Sequence, residues 1–180
     1  TRGVWDLCTT KEYDEQYWER RNQLYRASIN YLDRIVARMV SVAETLTERE
    51  TTIIVTADHG ENLGTTTDEG LANHKSSLSE GLLHVPCYLI NPPNGYDPKE
   101  KEYFSHLQFH KLISGLAESE TPDVFRSRIP AELVGMSAGP EPPSEREYWD
   151  RMIRCAYSGA QKFVWDSVGN AELYELDPKK

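Results

Sequence analysis

The stretch Thr52-Ile53-Ile54-Val55-Thr56-Ala57-Asp58-His59-Gly60-Glu61 constrains this chain more than any other. A short apolar, β-branched run ends abruptly in Asp-His-Gly. Such a run reads as a buried strand of a parallel sheet. In open α/β sheets, ligand and catalytic groups gather just beyond the carboxyl ends of the strands. Asp58 and His59 stand at that edge, an oxygen donor beside a nitrogen donor, and Gly60 lets the backbone turn. A hard carboxylate with a borderline imidazole suits half of a divalent-metal site. The same tripeptide also suits a plain turn, in which Asp58 caps the next segment and His59 is merely exposed.

Upstream, residues 12–46 read as one long amphipathic helix. Thr9-Thr10-Lys11-Glu12 is a capping box at its start. Tyr25, Ile29, Leu32, Val36, Met39, Ala43 and Leu46 then recur at alternating intervals of four and three. That spacing also suits a coiled coil, but it covers barely three heptads and a buried strand follows at once. A crossover helix lying on a sheet is the better reading.

Downstream, Cys87-Tyr88-Leu89-Ile90 reads as another buried strand, with Cys87 a small buried hydrophobe. Asn91 to Pro98 is a loop by its turn chemistry. A second helix is expected over residues 105–117. Residues 119–147 carry Pro122, Pro130, Gly139, Pro140, Pro142 and Pro143 and read as an irregular connector. Beyond it, short strands near 151–157, 161–166 and 172–176 suggest a small antiparallel sheet, with Ser158-Gly159 and Val168-Gly169-Asn170 as turns.

A chain of 180 residues is enough for one domain with a real core. Its formal net charge of −9 argues against a nucleic-acid partner, because phosphates would be repelled. An anionic ester would have to be drawn in by a local positive site. No apolar run approaches the roughly 20 residues of a membrane span, so no membrane partner is expected. No leader pattern is visible either, and the cellular location is not read from these residues. Cys8, Cys87 and Cys155 are an odd, widely spaced set without CxxC spacing, which gives no disulfide framework or zinc finger.

The order of segments carries further. After Asp58-His59-Gly60-Glu61-Asn62-Leu63-Gly64 and a polar loop come His74-Lys75-Ser76-Ser77-Leu78-Ser79-Glu80, then His84-Val85-Pro86 and the next strand. This order resembles the C-terminal half of the sulfatase family, within the alkaline-phosphatase superfamily. Its members carry a strand ending in Asp-His/Asn-Gly-Glu, then Leu-Gly, then Lys or His before Ser/Thr-Leu-Tyr-Glu, then Arg-Val-Pro. Tyr25 to Asp33 looks like the helix before that strand, and Phe104-Ser105-His106 is similar to a later helix start. Gln161-Lys162-Phe163 and Glu172-Leu173-Tyr174-Glu175-Leu176 resemble the family's closing strands.

The resemblance implies an α/β fold: the C-terminal half of an alkaline-phosphatase-like sheet domain followed by a small antiparallel sheet. The expected division is residues 1–118 for the catalytic part, 119–147 for the connector and 148–180 for the β subdomain. The implied activity is metal-dependent hydrolysis of a sulfate monoester. Asp58 and His59 take the place of metal ligands, Lys75 that of the cation on the sulfuryl oxygens, and His74 is placed to assist the leaving oxygen or contact the ester. Calcium is the expected divalent metal, with Mn or Zn as alternatives. A phosphate or phosphonate ester is the alternative substrate, because a nitrogen ligand favours Mn, Zn or Fe over calcium. Ser76 or Ser77 is expected to cap a helix over residues 78–83. His106 and His110 have the i, i+4 spacing of a metal pair, but they fall on a helix that is not catalytic in the family.

One departure matters most. The nucleophile signature, Cys/Ser-x-Pro/Ala-x-Arg, is absent: Cys8 is followed by Thr-Thr-Lys, Cys87 by Tyr-Leu-Ile and Cys155 by Ala-Tyr-Ser. Also missing is the strand whose paired acidic residues complete the metal site. The chain therefore reads as a fragment carrying half of an active site, with the other half of the same fold as its natural partner. A non-catalytic remnant acting as a binding module is the rival reading. Surfaces exposed by truncation would favour self-association.

Overall fold

A computed structural model describes residues 15–46, 48, 50–64, 74, 77–93, 96, 102–134 and 151–176. The chain divides into two compact units, one of Thr1–His74 with Ser79–Pro92 and one of Lys75–Leu78 with Pro93–Lys180. Helix and strand are mixed, and every described sheet is antiparallel. No helix among the described residues is long and apolar enough to cross a membrane.

The first unit opens with helix α1 (Glu15–Leu46), which runs for 32 residues because no glycine or proline interrupts it. Its expected capping box at Thr9 to Glu12 lies outside the described residues. The apolar stripe is present, yet no residue of α1 is buried, and Leu24, Ile29, Leu32, Met39 and Leu46 stand exposed. The expectation that this helix lies on a sheet is therefore corrected. Periodicity marks the face that can be covered and does not supply the cover.

Strand β1 (Ile53–Thr56) pairs antiparallel with β2 (Cys87–Ile90), Ile53 opposite Ile90 and Thr56 opposite Cys87. The parallel partner expected for β1 is not what the described residues supply, and no residue of either strand is fully buried. Apolar β-branched residues favour a pleated strand; they carry no information on the direction of its neighbour. Cys87 and Tyr88 are exposed, which corrects the reading of Cys87 as a buried hydrophobe. Thr56 and Thr52 close the two ends of the ladder, their hydroxyls donating to the Pro86 carbonyl at 2.9 Å and the Asn91 carbonyl at 2.8 Å.

Between the strands sits one turn of helix, α2 (Glu80–Leu83). Its N-cap is Ser79, not Ser76 or Ser77. The Ser79 hydroxyl makes no cap bond and donates instead to the Asn62 side chain at 2.7 Å. Asn62 is wholly buried. A buried amide needs such a partner, and this pairing outweighs a cap on so short a helix.

In the second unit, β3 (Tyr103–Phe104) pairs with β4 (Phe125–Arg126). A 3₁₀ turn over His106–Gln108 leads into α3 (Phe109–Ala117), close to the helix expected from the sequence. Leu112 and Leu116 bury the inner face of α3, and Gly115 is held tight against Pro122, whose Cβ lies 2.7 Å from where a side chain would start.

The last four strands form one sheet in the order β5 (Arg128–Leu133), β6 (Ile153–Ser158), β7 (Gln161–Asp166), β8 (Ala171–Glu175). The hairpin turns place Gly159 and Gly169 at φ of 58° and 100°, a region that glycine enters at least cost. Along β6, Ile153, Cys155 and Tyr157 are buried in strict alternation and Arg154, Ala156 and Ser158 face out. Strand β5 lies inside the stretch read as irregular. Pro130 suggested a breaker there, but β5 is an edge strand, where a residue without an N–H is tolerated.

Candidate functional site

Asp58 and His59 follow β1 directly. The His59 backbone N–H donates to Asp58 Oδ1 at 2.9 Å, and this bond with the nearby imidazole holds the Asp58 carboxyl below the usual carboxylate range. His59 Nδ1 lies 2.7 Å from the Gly60 carbonyl. A carbonyl only accepts, so Nδ1 carries a proton, and Nε2 is the nitrogen that the neutral ring leaves open to a ligand. That nitrogen lies 3.6 Å from Asp58 Oδ2. Both side chains are largely open to solvent, so the pair presents two adjacent donor atoms outward.

The backbone that carries the pair is fixed by the main chain of α2. Gly60 N–H donates to the Leu82 carbonyl at 2.9 Å and Glu61 N–H to the Gly81 carbonyl at 3.1 Å. A Cβ on Gly60 would sit 2.9 Å from the Gly81 carbonyl carbon and closer still to its oxygen, so glycine is required by approach.

Glu61 then makes two contacts in opposite directions. Its Oε1 accepts from Arg21 Nη2 of α1 at 2.6 Å, and its Oε2 accepts from His74 Nδ1 at 3.1 Å. The His74 ring stacks on the His59 ring, with centroids 4.4 Å apart and planes 18° apart. Beside Glu61 a hollow of about 420 Å³ is lined by Tyr17, Arg20, Arg21, Leu24 and Leu63 among others.

Of the residues singled out from the sequence, Asp58, His59 and His74 are thus together in one place. Lys75 lies outside the described residues. Arg21 and the clamp role of Glu61 are not readable from the sequence, because no spacing rule links a helix residue to a loop reached through a β-strand. Among the described residues no group of three or more His, Cys, Asp or Glu side chains converges to hold a metal. The donors present fit one edge of such a site: one carboxylate oxygen and one imidazole nitrogen whose other nitrogen is already engaged with a backbone carbonyl. Neither described cysteine has the setting of an activated thiolate, since Cys155 is buried and partial desolvation, with no cation offsetting it, pushes the thiol of the exposed Cys87 up.

Comparison with curated proteins finds no match. The family model described as Sulfatase matches residues 7–119, which take in α1, Asp58, His59, Glu61, His74, Lys75 and α3. That span is more than half of the chain. It contains every residue gathered at the outward pair and its clamp, and the chain belongs to the sulfatase family, a family of sulfate-ester hydrolases that generally use a divalent metal.

Proposed function

We propose that this chain carries the metal-ligand edge and the cationic edge of a site that hydrolyses a sulfate monoester. The observation that supports this best is the outward Asp58–His59 pair, with the His59 tautomer set by the Gly60 carbonyl. Asp58 and His59 would hold the divalent ion, expected to be calcium. When bound, such an ion neutralises ester oxygens and makes a hydroxyl nucleophile more acidic. Lys75 would supply positive charge to the sulfuryl oxygens and so hold the group in place while the leaving oxygen takes the electron pair of the breaking S–O bond. His74, held through Nδ1 by Glu61, would assist the leaving oxygen or contact the ester. The nucleophile and the remaining acidic ligands come from outside these residues, in the half of an alkaline-phosphatase-like fold that this chain complements. The parts are residues 1–118 as catalytic portion, 119–147 as connector and 148–180 as β subdomain.

A second reading keeps the site and changes the ester to a phosphate or phosphonate. His59 supports it, because an imidazole in the ligand set suits Mn or Zn better than calcium.

The test is hydrolysis of nitrophenyl sulfate and nitrophenyl phosphate by the gene's full product, with each metal supplied. Sulfate turnover that falls by roughly two to three orders of magnitude in Lys75→Ala supports the reading. Near-normal turnover in that variant removes Lys75 from the site, and faster phosphate turnover selects the second reading. The 180-residue chain alone is expected to be silent, and activity from it that disappears in Asp58→Ala would show that it holds a complete site.

A further inference from the structure

The four-stranded sheet of the second unit has one face that stays open among the described residues. Ile153, Cys155, Tyr157, Lys162 and Asp166 turn to the buried side. On the other side, residues line up in rows that cross all four strands, because directly opposite partners in an antiparallel ladder share a face. The central row is Pro130, Ala156, Phe163 and Leu173, one residue from each strand in the order β5 to β8. All four are exposed, Phe163 by 47% and Leu173 by 62%. Ala156 is the smallest of them, and with Pro130 and Phe163 it lines a hollow of about 460 Å³. None of this sheet lies in the span matched by the family.

Polar rows run on either side of the apolar one. The first is Arg128, Ser158, Gln161 and Glu175, with a cation at the β5 margin and a carboxylate at the β8 margin. Gln161 Nε2 donates to Glu175 Oε1 at 2.7 Å and keeps that carboxylate at the margin. The second is Glu132, Arg154, Trp165 and Ala171, in which Arg154 Nε donates to Glu132 and the Trp165 ring is exposed. An apolar strip rimmed by polar residues is the character of a contact surface.

We infer that this face packs on the same face of a second copy, about a two-fold axis that lies between the two sheets and runs along the strands. Such an axis keeps each row over itself and exchanges β5 with β8 and β6 with β7. Phe163 then enters the hollow at the partner's Ala156, and Pro130 meets the partner's Leu173. Arg128 meets the partner's Glu175, and Arg154 stands over the ring of the partner's Trp165, a cation–π arrangement. Large therefore faces small and each margin charge faces its opposite, which close packing between sheets about 10 Å apart requires. A two-fold axis set across the strands does neither. It puts like on like along the central row, a gap at Ala156 beside a clash at Phe163, and it leaves Glu175 over an alanine. The face is thus its own complement in one orientation, and an interface of that kind closes at two copies. It spans only about 14 Å in each direction between outermost Cα atoms, so the association is a weak one.

Sedimentation equilibrium of the chain between about 1 and about 200 µM tests this. A monomer–dimer equilibrium is expected, with a dissociation constant on the order of 10 µM. Phe163→Glu puts a charge into the hollow and should leave monomer throughout, with circular dichroism showing that the sheet is retained. Arg128→Glu and Glu175→Arg, both at exposed margins, should each weaken the dimer about tenfold, and the two together should restore it. Monomer at every concentration overturns the proposal. So does an assembly that persists in folded Phe163→Glu, or a charge-swapped double variant that associates no more tightly than the single ones. Should Phe163→Glu fail to fold, the charge swap alone decides.

Discussion

The imidazole rings of His59 and His74 stack at 4.4 Å, joining the Asp58 corner to the Arg21–Glu61 pair through one continuous set of contacts. Glu61 is the hinge of this set, since one oxygen faces each neighbour. Glu61→Ala should free His74 to adopt the tautomer protonated on Nε2, and should abolish the stacking. Nitrogen chemical shifts of His74, recorded at about pH 9 where an ordinary imidazole is neutral, read the tautomer directly. An unchanged Nδ1–H signal in Glu61→Ala would mean that the carboxylate does not orient the ring.

The Arg21–Glu61 ion pair is partly buried, with side-chain exposures of 29% and 22%. A double-mutant cycle of Arg21→Ala and Glu61→Ala should return a coupling of about 1 kcal/mol, above that of a fully exposed pair. Coupling near zero would show that α1 is not tied to the site loop in solution.

Metal affinity follows from donor count. Two donors leave most of a divalent ion's charge and coordination unmet, so calorimetric titration of this chain with calcium or manganese should show only weak binding, lost in Asp58→Ala. Submicromolar binding would place a complete site on this chain.

Gly60 gives a stability prediction. Alanine there would press its Cβ into the Gly81 carbonyl group and part the two backbone bonds that join the site loop to α2. A cost of about 1–3 kcal/mol is expected, seen as a lower urea midpoint, with the loss of metal response exceeding the loss of fold.

Asp166 sets an acid limit on the C-terminal sheet. Burial pushes its carboxyl up, but the Asn170 amide and N–H, the Arg151 guanidinium and the Val168 N–H outweigh that and hold it below the usual range. The folded form therefore takes up its proton at lower pH than the unfolded chain does. The stabilisation is fully present above an ordinary carboxylate pKa of about 3.9 and is lost as pH falls below it. Asp166→Ala should cost about 3 kcal/mol at neutral pH, because Arg151 is left nearly buried without this carboxylate, and should flatten the acid slope. Fluorescence of Trp165 during urea unfolding at several pH values measures both.

Legibility tracked how local each cause was. The 32-residue helix and the three closing strands follow from periodicity and turn glycines, which act within a few residues. Strand β5 was hidden because Pro130 signals a break everywhere except at a sheet edge, and edge status belongs to the whole sheet. The antiparallel neighbour of β1 and the exposure of Cys87 were likewise decided by partners, not by composition. At the site, Asp58, His59 and His74 were visible as residue types beside a strand end. The clamp of Arg21 and Glu61 was not, since it depends on distant segments meeting.

Pro130 has a consequence for the company the sheet can keep. Its ring replaces an N–H on one outer strand, so an approaching chain finds an interrupted row of donors along β5. The opposite margin, β8, is exposed at every residue and carries no proline from Ala171 to Glu175. Growth by strand addition is thus favoured at β8, and a charged or proline substitution there would oppose it.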